Sequence, residues 1–299
     1  MLAPIILFAF NRMHPLQRLI ESLKKNPLAK DSDLIIFVDG CRNQKDEIAV
    51  NEVRNYVNKI DAGFKTITRH ISHSNKGLSQ SIISGVSAVI QEYGKAIILE
   101  DDLICTPNFL AFMNQGLECY KDNHHIFSIC GYGLKIKRPR DYIHEVYLYG
   151  RSSSWGWATW ADRWKQVDWE ITDWDSFHQD KQKQQEFNKN GSDMYTMLKA
   201  YMEGRNNSWA IRFCYTQFKL KKYAVCPIFS KIDNEGFGEQ ATHCKQSYSR
   251  FKIDIDKSNK QFFNFPKKIE PNKPIEKECY KYHSISSRVY SKLRLLFHI

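Results

Sequence analysis

The sequence predicts an α/β protein: a mainly parallel sheet with helices on both faces, plus a smaller region beside it. Three observations carry this expectation. Apolar runs of strand length alternate with helix-patterned segments through the first half of the chain. Polar residues close three of those runs, at Asn11-Arg12, Asp39-Gly40 and Glu100-Asp101-Asp102, and ligands of such sheets bind beyond the carboxyl ends of the strands. The 299-residue chain is 42% hydrophobic and 13% aromatic, enough for a real core in one large domain or two small ones.

Taken in order, Pro4 to Phe10 reads as a buried strand. Pro15 then opens a helix with Leu16, Leu19, Ile20 and Leu23 on one side. Leu34 to Val38 is a second strand, Glu47 to Ile60 a helix, and Phe64 to Thr68 a short third strand. Asn75-Lys76-Gly77 is a turn before a helix over Leu78 to Ile90. Ala96 to Leu99 is the next strand. Thr106 reads as an N-cap with Pro107 at the first helical position, leading a helix from Phe109 to Tyr120. Ile126 to Cys130 is a further strand.

The second half changes character. Six tryptophans crowd the stretch from Arg151 to Trp174, and Trp157, Trp160 and Trp164 recur at helical spacing. That spacing predicts a part-helical segment packed in the core, whereas an exposed Trp beside Gly156 would suit stacking on a sugar ring. Near the end, Ile285, Val289, Leu293 and Leu296 form one helical stripe, with Arg288, Lys292 and Arg294 elsewhere on the helix. Two readings stand: an amphipathic helix on an anionic membrane, or a helix docked on the domain. The chain divides into a region over 1–140, a second over 141–250 and a basic tail over 251–299.

The net charge of +11 suits an anionic partner such as a nucleotide, a nucleic acid or an anionic membrane. No stretch is long and apolar enough to span a bilayer. Met1 to Phe10 lacks a basic leader and stops at Asn11-Arg12, so it reads as a first strand and not a signal peptide. The 8 cysteines contain no C-x-x-C pair, which argues against a zinc site and fits reduced thiols in a cytosol.

Glu100-Asp101-Asp102 follows the apolar run Ala96-Ile97-Ile98-Leu99. Three adjacent acids at a strand end repel one another. Either a hard cation sits on them for a phosphate-bearing substrate, or they form a solvated turn. Their alignment with the polar ends at Arg12 and Asp39 favours the cation.

These residues carry a resemblance. Pro4 to Arg12, Phe37-Val38-Asp39-Gly40, and Ile97 to Leu103 followed by Pro107-Asn108-Phe109 together resemble the GT-A-fold (Rossmann-like) glycosyltransferases. The likeness is to the N-acetylglucosaminyltransferase I family and, more loosely, to the bacterial family-two enzymes. It implies a metal-dependent transfer from a nucleotide-sugar donor, UDP-linked by expectation, to a glycan or lipid-linked glycan hydroxyl. Nucleic acid is no partner of such an enzyme. It further implies that Arg12 contacts the diphosphate or base, Asp39 holds the uridine, Glu100 and Asp101 contact nucleotide and ribose, and Asp102 ligates Mn2+ (or Mg2+). In the second half, Gly156-Trp157 resembles a Gly-Trp pair lining the donor and acceptor pocket. Asn207-Ser208-Trp209 resembles the segment bearing the catalytic base, where the family has an aspartate and this chain has Asn207. Asp193 and Glu203 are nearby in sequence. The loop from Ile232 to Cys244 resembles one that closes over nucleotide, with His243 in reach of the metal or diphosphate. A cytoplasmic enzyme of surface polysaccharide assembly, peripheral at an inner membrane, is the matching expectation. Two alternatives stand beside it. A nucleotidyltransferase would usually show a Gly-rich loop where Asn11 to His14 stands. A non-catalytic glycan-binding protein would account for Asn207.

Overall fold

The computed structural model describes residues 1–235 and 253–297, with side chains to residue 294. One eight-stranded sheet runs through it in the order β3-β2-β1-β4-β8-β6-β9-β7. Its strands are β1 (Ile5–Ala9), β2 (Asp33–Val38), β3 (Thr66–Ile71), β4 (Lys95–Glu100), β6 (Ile126–Cys130), β7 (Val146–Tyr149), β8 (Trp157–Trp160) and β9 (Tyr223–Pro227). β1, β2, β3 and β4 are parallel to one another, and β6 is parallel to β9. Only β8 and β7 run against them. The mainly parallel sheet is therefore present. A separate two-stranded ladder pairs β5 (Leu103–Cys105) with β10 (Ile232–Asn234).

Helices cover both faces. They are α1 (Met13–Lys24), α2 (Glu47–Asn58), α3 (Leu78–Tyr93), α4 (Phe109–Cys119), the short α5 (Ala161–Trp164), α6 (Trp174–Gln179), α7 (Lys181–Asn188), α8 (Met194–Met202), α9 (Trp209–Lys219), α10 (Lys273–Tyr282) and α11 (Ile285–Phe297). Strand alternation builds the two cores. In β1, Ile5, Leu7 and Ala9 face one cluster with α1 and α4, while Ile6 and Phe8 face another with α3 and α9. The predicted α1 stripe, Leu16, Leu19, Ile20 and Leu23, is fully buried, each side chain contributing about 1.5–3 kcal/mol. A third cluster joins α6 to α9 through Phe177, Phe187, Leu198 and Tyr215.

Three local expectations need correction. The third strand lies at Thr66–Ile71, later than read, because it pairs residue for residue with β2 from Asp33↔Thr66 to Val38↔Ile71. It is an edge strand with alternating exposure, so its apolar pattern is weak. Trp157 and Trp160 belong to strand β8, not to a helix. Three residues apart on a strand, they point to opposite faces: Trp157 into the α3–α9 cluster and Trp160 into the α1–α4 cluster. The N-cap of α4 is Asn108 and not Thr106. The Thr106 hydroxyl is taken up by Asn108 Oδ1 at 2.7 Å and the Lys231 carbonyl at 3.1 Å. The segment after 251 is tied to the body: Phe263 and Phe265 pack on Phe112, Tyr120 donates to the Pro266 carbonyl at 3.0 Å, and α10, capped by Asn272, packs Ile275 and Cys279 into the core.

Candidate functional site

The carboxyl ends of β1, β2 and β4 meet at one cavity of about 400 Å³. Its wall includes Phe10, Asn11 and Arg12 after β1, Asp39 after β2, Asn75 and Gly77 before α3, and Glu100 and Asp101 at the end of β4. Four residues singled out in sequence, Arg12, Asp39, Glu100 and Asp101, are thus brought together. Register explains it: Phe8 of β1 lies opposite both Phe37 of β2 and Glu100 of β4, so the residues following those positions emerge on the same edge.

Charge organises the floor. The Arg12 guanidinium donates to Asp101 and, at 3.0 Å, to Asp102. Asp101 also accepts from the Phe10 backbone N–H at 3.3 Å. One cation cannot offset three acids. Burial, then the neighbouring Asp102 and Asp101, push the Glu100 carboxyl up to about 8. Burial likewise lifts Asp101 to about 6, with Arg12 pulling the other way. Asp102 sits beside the cavity, half-buried. Its Oδ2 meets Arg12, and its Oδ1 has no hydrogen-bond partner among the described residues.

Asp39 lines the cavity in a different manner. Its Oδ1 accepts from Gly40 N at 2.9 Å and Lys76 N at 2.8 Å. Its Oδ2 accepts from Gly77 N at 2.9 Å and Asn75 Nδ2 at 3.1 Å. A carboxylate offers about four acceptor positions, so protein donors already saturate it. Its structural work is to fix the turn 75–77 that opens α3. Gly77 sits at φ +76°, a conformation that glycine adopts without strain. Phe8 and Phe37 stack at 5.3 Å and form the apolar side of the cavity.

A second cavity of about 290 Å³ is walled by β7, the segment 151–155, α8 and α9. Tyr132, Leu134, Ser152 to Trp155, Ser208 and His283 are among its lining residues. It holds the start of α9, where the Ser208 hydroxyl accepts from Ile211 N at 3.3 Å. No aspartate or glutamate is on its wall among the described residues. Asp193 stands behind it, held by Arg151 at 2.8 Å. Glu203 is on the surface, paired with Arg205 and Lys199. Asn207 is exposed, and its Oδ1 accepts from Arg212 at 3.5 Å.

Trp157 and Trp209 are in the core and not on a cavity wall. They are 1% and 5% exposed and stack on each other at 4.9 Å. His243, with Gly236, Gly238 and Cys244, lies outside the described residues. The entry to that loop is described: the Glu235 N–H donates to the Asp102 carbonyl at 3.0 Å, and β10 pairs with β5 immediately after the acidic triplet. Sequence reasoning missed Asn75 and the Phe8–Phe37 pair. The turn signal at Asn75-Lys76-Gly77 was readable, but its partner Asp39 is 36 residues away.

No family profile matches the chain, and no curated protein matches it. Solved structures of glycosyltransferases are similar in fold. A mannosyltransferase, PcManGT from Pyrobaculum calidifontis, solved with GDP-Man and Mn2+, is 10% identical over 54% of this chain and 46% of its own, with a TM-score of 0.38. GalNAc-T7, solved with UDP, GalNAc and Mn2+, is 10% identical over 78% of this chain and 44% of its own, with a TM-score of 0.48. S. aureus TarS is 16% identical over 56% of this chain and 30% of its own, with a TM-score of 0.36. The chain therefore spans less than half the length of each of these three proteins.

Proposed function

We propose that the protein is a glycosyltransferase using a nucleotide-sugar donor, with a glycan or lipid-linked glycan hydroxyl as acceptor. The observation that carries this is the single cavity joining Arg12, Asp39, Glu100 and Asp101 at the carboxyl edge of β1, β2 and β4. Its apolar side, Phe8 and Phe37, suits the face of a base. Its Arg12 suits a phosphate oxygen, and its half-open Glu100 suits a ribose hydroxyl.

The donor set fits a hard divalent cation. Three oxygen acids face one guanidinium, two of them held above their ordinary range, and Asp102 Oδ1 accepts no hydrogen bond among the described residues. Described residues contain no group of three or more metal-ligating side chains. Sites of the Mg2+ or Mn2+ type need only one or two carboxylates from the protein, the ion being shared with substrate phosphates and water. Such an ion, when bound, neutralises charge developing on a departing diphosphate. The protein's own part is positional: Arg12 orients the phosphates, and the Asp39-pinned turn shapes the pocket. Asp102 is the residue proposed to hold the ion.

A second reading, a glycan-binding protein without turnover, is favoured by one observation. Among the described residues the second cavity presents no carboxylate, and Asn207 carries an amide that cannot take a proton from an acceptor hydroxyl. Calorimetry of the full chain with UDP and with GDP, with and without Mn2+, tests donor recognition. A screen of nucleotide release from UDP- and GDP-sugars then separates the two readings. Binding without release across donors and acceptors favours the second. Absence of nucleotide binding under every condition rejects the glycosyltransferase reading.

A further inference from the structure

Helix α11 is turned the opposite way from a helix that merely completes a core. Ser287, Arg288, Ser291 and Arg294 recur at steps of three and four residues and are buried or half-buried. Ser287 and Ser291 form the face towards the body, with the half-buried Arg288 and Arg294 at its two margins. On the opposite face, Ile285 is 65% exposed, Val289 49%, Tyr290 56% and Leu293 46%. Three aliphatic side chains on one helical stripe, Ile285, Val289 and Leu293, are exposed to water, against the sense of the hydrophobic effect.

The rest of the helix states the chemistry of what covers them. Lys292 is exposed beside Ile285 and Val289, while Arg288 and Arg294 flank the stripe. No aspartate or glutamate occurs from Cys279 to Ile299. The Arg294 guanidinium lies over the Tyr290 ring at 5.7 Å, an amphipathic pair of the kind found where apolar and wet regions meet. The root of the helix is fixed: the His283 carbonyl accepts from the Ser192 hydroxyl at 2.7 Å and its N–H at 3.2 Å. The helix thus presents its apolar face from a held position.

We propose that α11 docks the protein onto an anionic lipid bilayer, with Ile285, Val289, Tyr290 and Leu293 entering the boundary between headgroups and acyl chains. Lys292, Arg288 and Arg294 meet the lipid phosphates. No helix among the described residues is long and apolar enough to cross a membrane, so the contact lies in the plane of the surface. Charge complementarity selects lipid over a second copy of the chain. Each copy carries +11, and pairing two α11 faces would set Lys292 and its arginine neighbours against like charges. This docking does not rest on glycosyl transfer.

The test is flotation of the full chain, without nucleotide or sugar, on vesicles of phosphatidylcholine with and without phosphatidylglycerol. Wild type floats with the anionic vesicles only and is released by high salt. The double variant Val289→Ser with Leu293→Ser keeps net charge and, being on the exposed face, keeps the fold by circular dichroism; it loses at least tenfold in vesicle affinity. Lys292→Glu weakens binding by about fivefold or more. Wild type that stays with the unbound fraction overturns the proposal. So does a serine variant that floats like wild type, since net basicity alone would then explain binding. A wild-type dimer in sedimentation velocity that the serine variant dissolves assigns the stripe to self-association instead.

Discussion

Arg12 Nη1 donates to the Asp102 carboxylate at 3.0 Å, a contact that spans 90 residues of sequence and ties the end of β1 to the end of β4. The same guanidinium reaches Asp101. Arg12 thereby supplies the only positive charge seen against three acids at the cavity floor among the described residues. Arg12→Gln removes that charge and, under the proposed function, a charge-assisted donor to phosphate, a contribution of about 1.5–3 kcal/mol. UDP affinity measured by calorimetry in Mn2+ is expected to fall about tenfold or more, while the fold persists. Unchanged affinity would move the diphosphate elsewhere in the molecule.

Asp39 and the turn at 75–77 make a distinct prediction. Asp39→Asn places an amide N–H2 against donors that now meet a carboxylate oxygen. At least one buried donor loses its acceptor, a cost of about 1–3 kcal/mol. The melting temperature should fall, and nucleotide affinity should fall with it because the cavity wall loosens. If Asp39 instead acts only by touching the nucleotide, affinity drops and stability does not.

These two residues illustrate how far the sequence could be read. Apolar runs closed by polar ends located Arg12, Asp39 and the acidic triplet, since strand-end residues of neighbouring parallel strands share an edge whatever the details. The spacing of the tryptophans misled, because a step of three fits a helix and also fits opposite faces of a strand, and local pattern does not distinguish them. The saturation of Asp39 was not legible at all: three of its four donors come from a turn more than thirty residues downstream. Contacts made by the tail on α4 were hidden for the same reason, since Phe263 and Phe265 sit in a lysine-rich stretch without periodicity.

Gly85 of α3 is a third test, directed at the apolar wall. A Cβ there would stand 2.8 Å from the Phe8 ring and 3.3 Å from the Phe37 ring. Both rings line the cavity at the ends of β1, β2 and β4. Gly85→Ala is expected to displace them at a cost of about 1–3 kcal/mol and to raise the dissociation constant for UDP more than that for inorganic diphosphate. Equal losses for both ligands would mean that the rings do not meet the base.

Trp157 separates core from pocket. Its ring is packed by Trp164, Trp209 and Phe213 at 4.9–5.8 Å between centroids. Trp157→Leu should destabilise the protein by about 3 kcal/mol and leave nucleotide affinity of the folded fraction within twofold. A selective loss of donor or acceptor affinity with an unchanged melting temperature would return Trp157 to the binding surface.

The pair Arg151–Asp193 sets the acid limit of the second cavity. Burial alone would raise the Asp193 carboxyl. Attraction and hydrogen bonding from Arg151, with a smaller contribution from His283, outweigh it and hold the carboxyl below its ordinary 3.8. For an acid whose folded value is depressed, the stabilisation is complete above the unfolded value and is lost as pH falls through the folded one. The contribution of Asp193 to stability should therefore be level across neutral pH and be lost below about pH 4, the unfolded range for aspartate; it is read as the difference between variant and wild type, because Glu100 and Asp101, held high in the fold, lower total stability as pH rises. Asp193→Ala leaves Arg151 buried without its partner, so about 3 kcal/mol should be lost near neutrality. The difference between variant and wild type should then narrow as acid removes the same charge from the wild type. A difference that stays constant down to the acid transition would show that Asp193 stabilises by packing and not by its charge.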